Sequence, residues 1–509
     1  MSQSKKLKKL VFNYYHVFMI TFFIGSVINL SVMCNELHNP DSIWKGDYSV
    51  SGSWELSLGR WALPFMDILS GGIHSVVLSS LLTLGLLSFS TVLLVDFFQV
   101  KRRSVQVLAS ILFILNPAIT FLLTYPYCSY AYAFAMVLSI VSVRCVISIR
   151  GIKGILAGGI GFMLSLGIYQ AFLGSTAMVM LVYLIKCILR KIEWDEILKI
   201  IVRMAGFFLL GVGLYYGMMK TVLYVMNVKL ASYKGASDVG VLNIIRSLPS
   251  GVKQCYVDFY KYYFTDQICR NSFGIKYING LLWGVLLLVI FCLGKALCIK
   301  EKMLLALIMA SLPVACNFID LMAPSTTVIL LTSEGMMGLL PCLLMGIFGC
   351  QWYNSQNSRH FEYALIVLLC WGFTLQDSSD LLLMNRIKTQ TIALANRISY
   401  TIERINSQKY TKILISGTPG DVLSQQGELV KRTDHFAKYG LVWSSLDGMI
   451  YCWKNVLYTY IGRDYEFCTV SEYERILATE EYNNMPRYPQ DGSVYVLGDV
   501  LVVKLADFS

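Results

Sequence analysis

Within residues 33–61 the chain runs NPDSIWKGDYSVSGSWELSLGRW, a polar segment held between two long hydrophobic runs and carrying Asp41, Asp47, Glu55 and Arg60. Acids beside hydrocarbon are costly, so a cluster of them points to chemistry at a membrane face, and to an enzyme more than a channel. A carboxylate can take the proton of an attacking hydroxyl, and a guanidinium can hold a departing phosphate. Asp41 or Asp47 fits the first role: with a reference pKa of about 3.9, either is ionised at neutral pH. Their ordinary role would be a solvated loop acid or a helix cap, and Asp41, after Pro40, is placed to cap. Arg60 fits the second role through its planar, permanently charged fork, with pairing to a nearby Asp as the ordinary alternative. Glu55 follows Trp54 in WELSLGRWALPF, where a solvated face is the default.

Other residues bear on the same chemistry. Lys220, in YYGMMK, and Lys234, one of the cations of a long basic loop with Lys229, Arg246 and Lys253, are expected to meet a phosphate-bearing carrier. Snorkelling and solvation are their ordinary roles. Trp54, Tyr127, Tyr169 and Gln170 suit a sugar, because an aromatic face packs on its CH groups while an amide meets its hydroxyls. Tyr125 and Tyr130 would join them, although Tyr and Trp line any membrane interface. Asp67 and His74 read as structural hydrogen-bond partners, and Asp320 and Glu334 as caps beside a short turn.

The elements that position these groups follow from composition. With 56% hydrophobic and 15% charged residues in 509, most of the chain must be solvated by lipid. Apolar runs near 11–32, 72–96, 105–124, 129–149, 154–168, 171–188, 200–224, 279–297, 303–322, 335–351 and 362–377 predict about 11 transmembrane helices. The first run is long enough to span and lacks a small-residue cleavage site, so it is expected to stay as an anchor. Lys5, Lys6, Lys8 and Lys9 hold the N-terminus in the cytoplasm, and the basic residues of alternate later loops fall on the same side. That register places the first polar loop, the loop 225–278 and everything after 378 outside. It also accounts for much of the net charge of +11 without a nucleic-acid partner.

The chain therefore divides into a membrane domain, 1–377, and an extracytoplasmic α/β domain, 378–509. In the latter, Ile387, Thr391, Leu394, Ile398, Ile402 and Ile405 form one stripe of an amphipathic helix. KILISG at 412–417 reads as a buried strand, and 494–505 as a hairpin turning at Gly498 and Asp499. This domain is expected to act as a lid or support.

Of fourteen cysteines, two outward pairs are candidates for oxidation, Cys255 with Cys269 and Cys452 with Cys468. No spacing resembles a zinc or haem site. Gly158, Gly159 and Gly161 lie inside a span, where small residues serve packing rather than a phosphate loop, which argues against an ATP-driven pump. No cofactor is expected; Asp41 and Asp47 together are weak ligands for a divalent metal, which is not favoured.

Asp41-Ser42 in the first outer loop, Gly59-Arg60-Trp61 entering the second span, Tyr169-Gln170-Ala171 between two short spans, and NRISYTIERI leading to an external domain carry a resemblance. They resemble the bacterial glucosyltransferase family that modifies surface polysaccharides, including serotype conversion. The resemblance implies a GT-C-like architecture in the bacterial plasma membrane. It implies transfer of a hexose, glucose above all, from a polyprenyl-phosphate carrier to an extracytoplasmic polysaccharide or cell-wall glycan. It also implies a small flippase and a donor-synthesising glycosyltransferase as partners. Some relatives have two adjacent acids in this loop, whereas Asp41 and Asp47 stand apart. A lipid-linked oligosaccharide flippase or transporter, the alternative, would need charges near the middle of several spans, whereas here they concentrate in outer loops.

Overall fold

The computed structural model describes residues 3–231, 241–267, 273–322, 330–348, 356–405 and 409–507. Helices occupy every apolar run of the sequence reading. By length and composition, however, six of the described helices are fit to cross a membrane, or seven if one bent pair is a single span, in place of the expected eleven. The shortfall has local causes. Pro117 opens a new helix after Arg103–Ile114 and Asn116 caps it at the Ala118 amide (3.1 Å), which bends the pair by 51°. The helix Ile152–Ile168 has 17 residues, and Glu334–Phe348 has 15 among the described residues.

Close approach holds the bundle together. A Cβ on Gly158 would lie 2.7 Å from the Val146 side chain and 2.8 Å from the Ser142 carbonyl, so Ile152–Ile168 packs on Ser129–Ser148 only because this residue is glycine. The loops gather at two poles, separated by helices such as Val76–Phe97, whose 22 residues span about 33 Å. At one pole lie the first loop, the 124–128 and 169–171 turns, and residues 317–321 and 330–334. There Asn39 donates to the Thr124 carbonyl (3.2 Å) and the Ala62 amide to the Gly167 carbonyl (2.9 Å). At the other pole Lys186 donates to the Phe98 carbonyl (2.8 Å) and Arg203 to the carbonyls of Val146 and Ile149.

The long basic loop is not wholly loop. Val241–Phe264 is a helix that packs on Ile275–Gly294, Ile299–Cys316 and Ile319–Met322. The polar stretch around 378 lies inside one helix of 48 residues, Gln356–Glu403. Its expected stripe is real: Ile387, Thr391, Leu394, Ile398 and Ile402 are all buried. Ile387 belongs to the core of the bundle, while Leu394, Ile398 and Ile402 belong to the core of the C-terminal unit, so this helix joins the two. The C-terminal unit has a three-stranded sheet, β1 (Lys412–Ser416), β2 (Val494–Leu497) and β3 (Val500–Lys504), in the order β1-β3-β2. β1 runs parallel to β3, and β2–β3 is the expected hairpin with Gly498 at a positive φ of 64°. Cys452 and Cys468, one of the two candidate pairs, are both free, buried thiols; Cys452 sits on helix Leu446–Val456, with its thiol 3.5 Å from the Pro40 carbonyl. Cys255 is likewise a free thiol, bonded to the Asn317 carbonyl (3.2 Å), and Cys269 lies outside the described residues.

Candidate active site

The first loop folds into short helices, and the C-terminal unit clamps the first of them. Pro40–Lys45 is capped by Asn39, whose side chain accepts from the Ser42 amide (3.0 Å), so Asp41 is not the cap that its position suggested. Asp41 sits in the first turn of that helix and accepts a 2.7 Å hydrogen bond from Nε1 of Trp443. Asn455 donates to the carbonyls of Ile43 (2.7 Å) and Trp44 (3.0 Å), and Trp44 stacks on Tyr451 with ring centroids 5.4 Å apart. Ile43 is buried within the core of the C-terminal unit. The acid is thus placed by residues some 400 positions away in the chain.

The second half of the loop positions Arg60. Glu55 is not on a solvated face: it is 4% exposed, forms an ion pair with Lys45, and accepts from the Gly52 amide (2.8 Å). Gly59 adopts φ +78°, and a Cβ there would fall 2.7 Å from the Tyr215 hydroxyl and 2.8 Å from Nε2 of Gln170. Only glycine fits this left-handed turn without displacing both partners. Gln170 Nε2 donates to the Leu58 carbonyl (2.7 Å) and the Tyr215 hydroxyl (2.8 Å), and that hydroxyl donates to the Gly59 carbonyl (3.2 Å). The amide expected to contact sugar is therefore a strut under the Leu58–Gly59 turn.

Arg60 emerges from this turn into a nest of tyrosines. Its NH1 donates to the Tyr132 hydroxyl (3.1 Å), and its guanidinium lies 4.8 Å from the ring centroid of Tyr169. Tyr169 in turn stacks flat on Tyr132 at 4.3 Å. Nε of Arg60 is buried, and no hydrogen-bond partner for it stands among the described residues. Arg60 and Asp41 are both within electrostatic reach of Tyr127 and Cys128, so the loop's cation and one of its acids face the same 125–128 turn. Burial first, with Cys128 and Asp41 adding, holds the Tyr127 phenol protonated; burial and then Asp41 do the same for Tyr125. Both are thereby hydrogen-bond donors at any physiological pH.

Two further acids enter the picture. Glu334, expected to cap, is 7% exposed at the start of Glu334–Phe348, within electrostatic reach of Arg60. It lines a narrow, largely apolar cavity with Tyr132, Phe172 and Leu122, and its Oε2 has no partner among the described residues. Asp320 lies past the end of Ile299–Cys316 and is fully buried against Asp258, and burial followed by that neighbouring carboxylate pushes it up to about 7.

The remaining expected residues scatter. Asp47 is exposed, and its carbonyl accepts from the His74 amide (3.0 Å). His74 does hold the loop, with Nδ1 2.6 Å from the Gly46 carbonyl, and Asp67 accepts from the Ser51 amide (2.6 Å). Trp54 is 52% exposed. Tyr127 lies beside His74 and under Lys45, whose Nζ is 5.9 Å from its ring. Lys220 is exposed on Trp194–Val225 over the Tyr216 ring (5.5 Å) and does not join Arg60. Lys234 lies outside the described residues. The reading of the sequence missed Tyr132, hidden inside an apolar run. It also missed Asp377 and Asp380, both fully buried on Gln356–Glu403; Asp380 accepts from the Asp434 amide (2.6 Å). Among the described residues no group of three or more His, Cys, Asp or Glu side chains is arranged to hold a metal ion.

A bundle with six or seven helices long and apolar enough to cross a membrane, and with a buried arginine, stacked tyrosines and a loop carboxylate at one pole, is compatible with a polytopic membrane protein. Residues 30–375 match the family model described as Glucosyl transferase GtrII. The chain belongs to that family, and membership implies a glucosyltransferase. No curated protein and no solved structure matches the chain.

Proposed function

We propose that this glucosyltransferase takes its hexose, glucose, from a polyprenyl-phosphate carrier and passes it to a polysaccharide or cell-wall glycan on the extracytoplasmic side of a bacterial plasma membrane. In this reading the architecture is GT-C-like, residues 1–377 form the membrane domain, and the pole holding Arg60 faces outward with the C-terminal unit above it. The single observation that carries the proposal is the setting of Arg60: a permanent cation, stacked on Tyr169, with one buried N–H uncommitted.

The chemistry follows from those groups. When the glycosidic C–O bond to the carrier breaks, the electron pair leaves on phosphate oxygen, and negative charge grows there. Arg60, helped by the phenol donors Tyr127 and Tyr132, stabilises that charge in a setting of low dielectric. Asp41 accepts the proton of the acceptor hydroxyl as its oxygen bonds to the sugar carbon. Glu334, whose carboxyl burial pushes up to about 8, stands near Arg60 as a protonated neighbour and not as a counter-charge. Asp47, exposed and outside the tyrosine nest, has no step in this mechanism. The test is to supply membranes containing the chain with labelled polyprenyl-phosphate glucose or with labelled nucleotide-linked glucose, in the absence of enzymes that interconvert them. The proposal expects label in glycan from the lipid donor alone; label from the nucleotide donor alone overturns it.

A further inference from the structure

We infer that the pole opposite Arg60 carries a second, unassigned site: a basic cavity that holds the phosphate of an anionic phospholipid. The cavity has a volume of about 310 Å³, at the lower end of the range of small-molecule sites. Its wall is built from the ends of three helices. Asp96, Phe97 and Gln99 come from the end of Val76–Phe97, Arg144 and Ile147 from Ser129–Ser148, and Tyr183, Lys186 and Arg190 from the end of Phe172–Leu189.

Three cations, Arg144, Lys186 and Arg190, against the one acid Asp96 leave the lining with a surplus of two positive charges. The charges are set in place rather than waving in solvent. Lys186 is 3% exposed, donates to the Phe98 carbonyl (2.8 Å), and lies 5.8 Å from each of the Phe98 and Tyr183 rings. Arg190 donates to Gln99 Oε1 (3.1 Å), and Gln99 itself takes a left-handed φ of 51° to turn the chain there. Arg144 pairs with Asp96 at 2.5 Å, and both side chains keep access to the cavity, at 33% and 27% exposure. A helix C-terminus attracts cations through its carbonyls, and Lys186 serves that end. Arg144 and Arg190 do more than this requires: they present two planar forks to one cavity, the arrangement that suits phosphate.

The rim says which phosphate. Ile147, Tyr183 and Ile192 supply partly exposed apolar lining, and the helix Ile152–Ile168, which packs on Ser129–Ser148, exposes Ile152 at 64% and Leu156 at 46%. A headgroup in the basic cavity leaves its acyl chains against that surface, whereas a free phosphate would gain nothing from it. By the positive-inside register this is the cytoplasmic leaflet, where anionic lipids attract Lys and Arg.

The test uses the full chain, purified in neutral detergent and placed in nanodiscs of phosphatidylcholine with or without phosphatidylglycerol, with retained lipid counted by native mass spectrometry. Wild type is expected to keep phosphatidylglycerol, with retention weakened about tenfold or more in Arg190→Gln and in the charge-balanced pair Asp96→Asn with Arg144→Gln. Lys101→Gln with Arg103→Gln, which remove exposed charge at the same pole outside the cavity, should retain it as wild type does. Equal retention by every variant overturns the site. Displacement of the bound lipid by millimolar inorganic phosphate, with no preference for the lipid, overturns the assignment to phospholipid.

Discussion

Replacing Gln170 with Ala decides whether that amide touches sugar or holds the Arg60 turn. The side chain donates two hydrogen bonds, at 2.7 Å to the Leu58 carbonyl and 2.8 Å to the Tyr215 hydroxyl. Each neutral bond contributes about 0.5–1.5 kcal/mol net, and a buried acceptor left without its donor costs about 1–3 kcal/mol. Tyr215 is 8% exposed, so loss of the amide is expected to destabilise the protein by about 2–4 kcal/mol. The damage is local to Leu58–Gly59 and therefore reaches Arg60 next door. Thermal unfolding of the purified protein should show the loss, and turnover should fall with little change in KM for the lipid donor. Tyr215→Phe removes the shared hydroxyl, and the double variant should lose less than the sum of the two by about 1 kcal/mol, because both act on one network. Unchanged unfolding with a raised donor KM would refute the strut and restore the amide as a sugar contact.

Three other outcomes follow from the same geometry. Trp443→Phe deletes one donor to Asp41 and is expected to lower transfer about tenfold with the C-terminal unit still folded, checked by circular dichroism beside the transfer assay. Arg60→Lys keeps the charge but loses the fork and the Tyr132 and Tyr169 contacts, so transfer should drop about 10²-fold while Lys220→Gln stays near wild type. Asp320, pushed up to about 7 by burial beside Asp258, keeps its proton in the docked state longer than when exposed, where it titrates at about 3.9. Docking of Val241–Phe264 against it should thus be strongest below about pH 4, weaken by up to about 4 kcal/mol as pH rises to about 7, and level off above; Asp320→Asn should abolish that slope in hydrogen exchange at residues 250–258.

Local patterns were legible in the sequence, and long-range ones were not. The stripe from Ile387 to Ile402 is a 3.6-residue period and could be read directly, as could the strand at Lys412 and the turn at Gly498. Arg60 stood out because it follows Gly59 in a polar loop. The partner of Asp41 did not, since Trp443 is 402 residues away and no period links them. Glu55 looked solvated because its burial depends on Lys45 arriving from a separate turn. Tyr132 lay in an apolar run where an aromatic normally means packing, and only its stack on Tyr169 and its bond to Arg60 give it a role. The continuity across 378 was not legible either: the composition changes there, yet Gln376, Asp377 and Asp380 are buried in one unbroken helix that joins the two units.

The most direct measurement of the central claim is sugar transfer from labelled polyprenyl-phosphate glucose in membranes carrying Asp41→Asn or Asp47→Asn at matched expression. The mechanism predicts a loss of about 10²- to 10⁴-fold in Asp41→Asn, with Asp47→Asn close to wild type. Wild-type transfer by Asp41→Asn would contradict it.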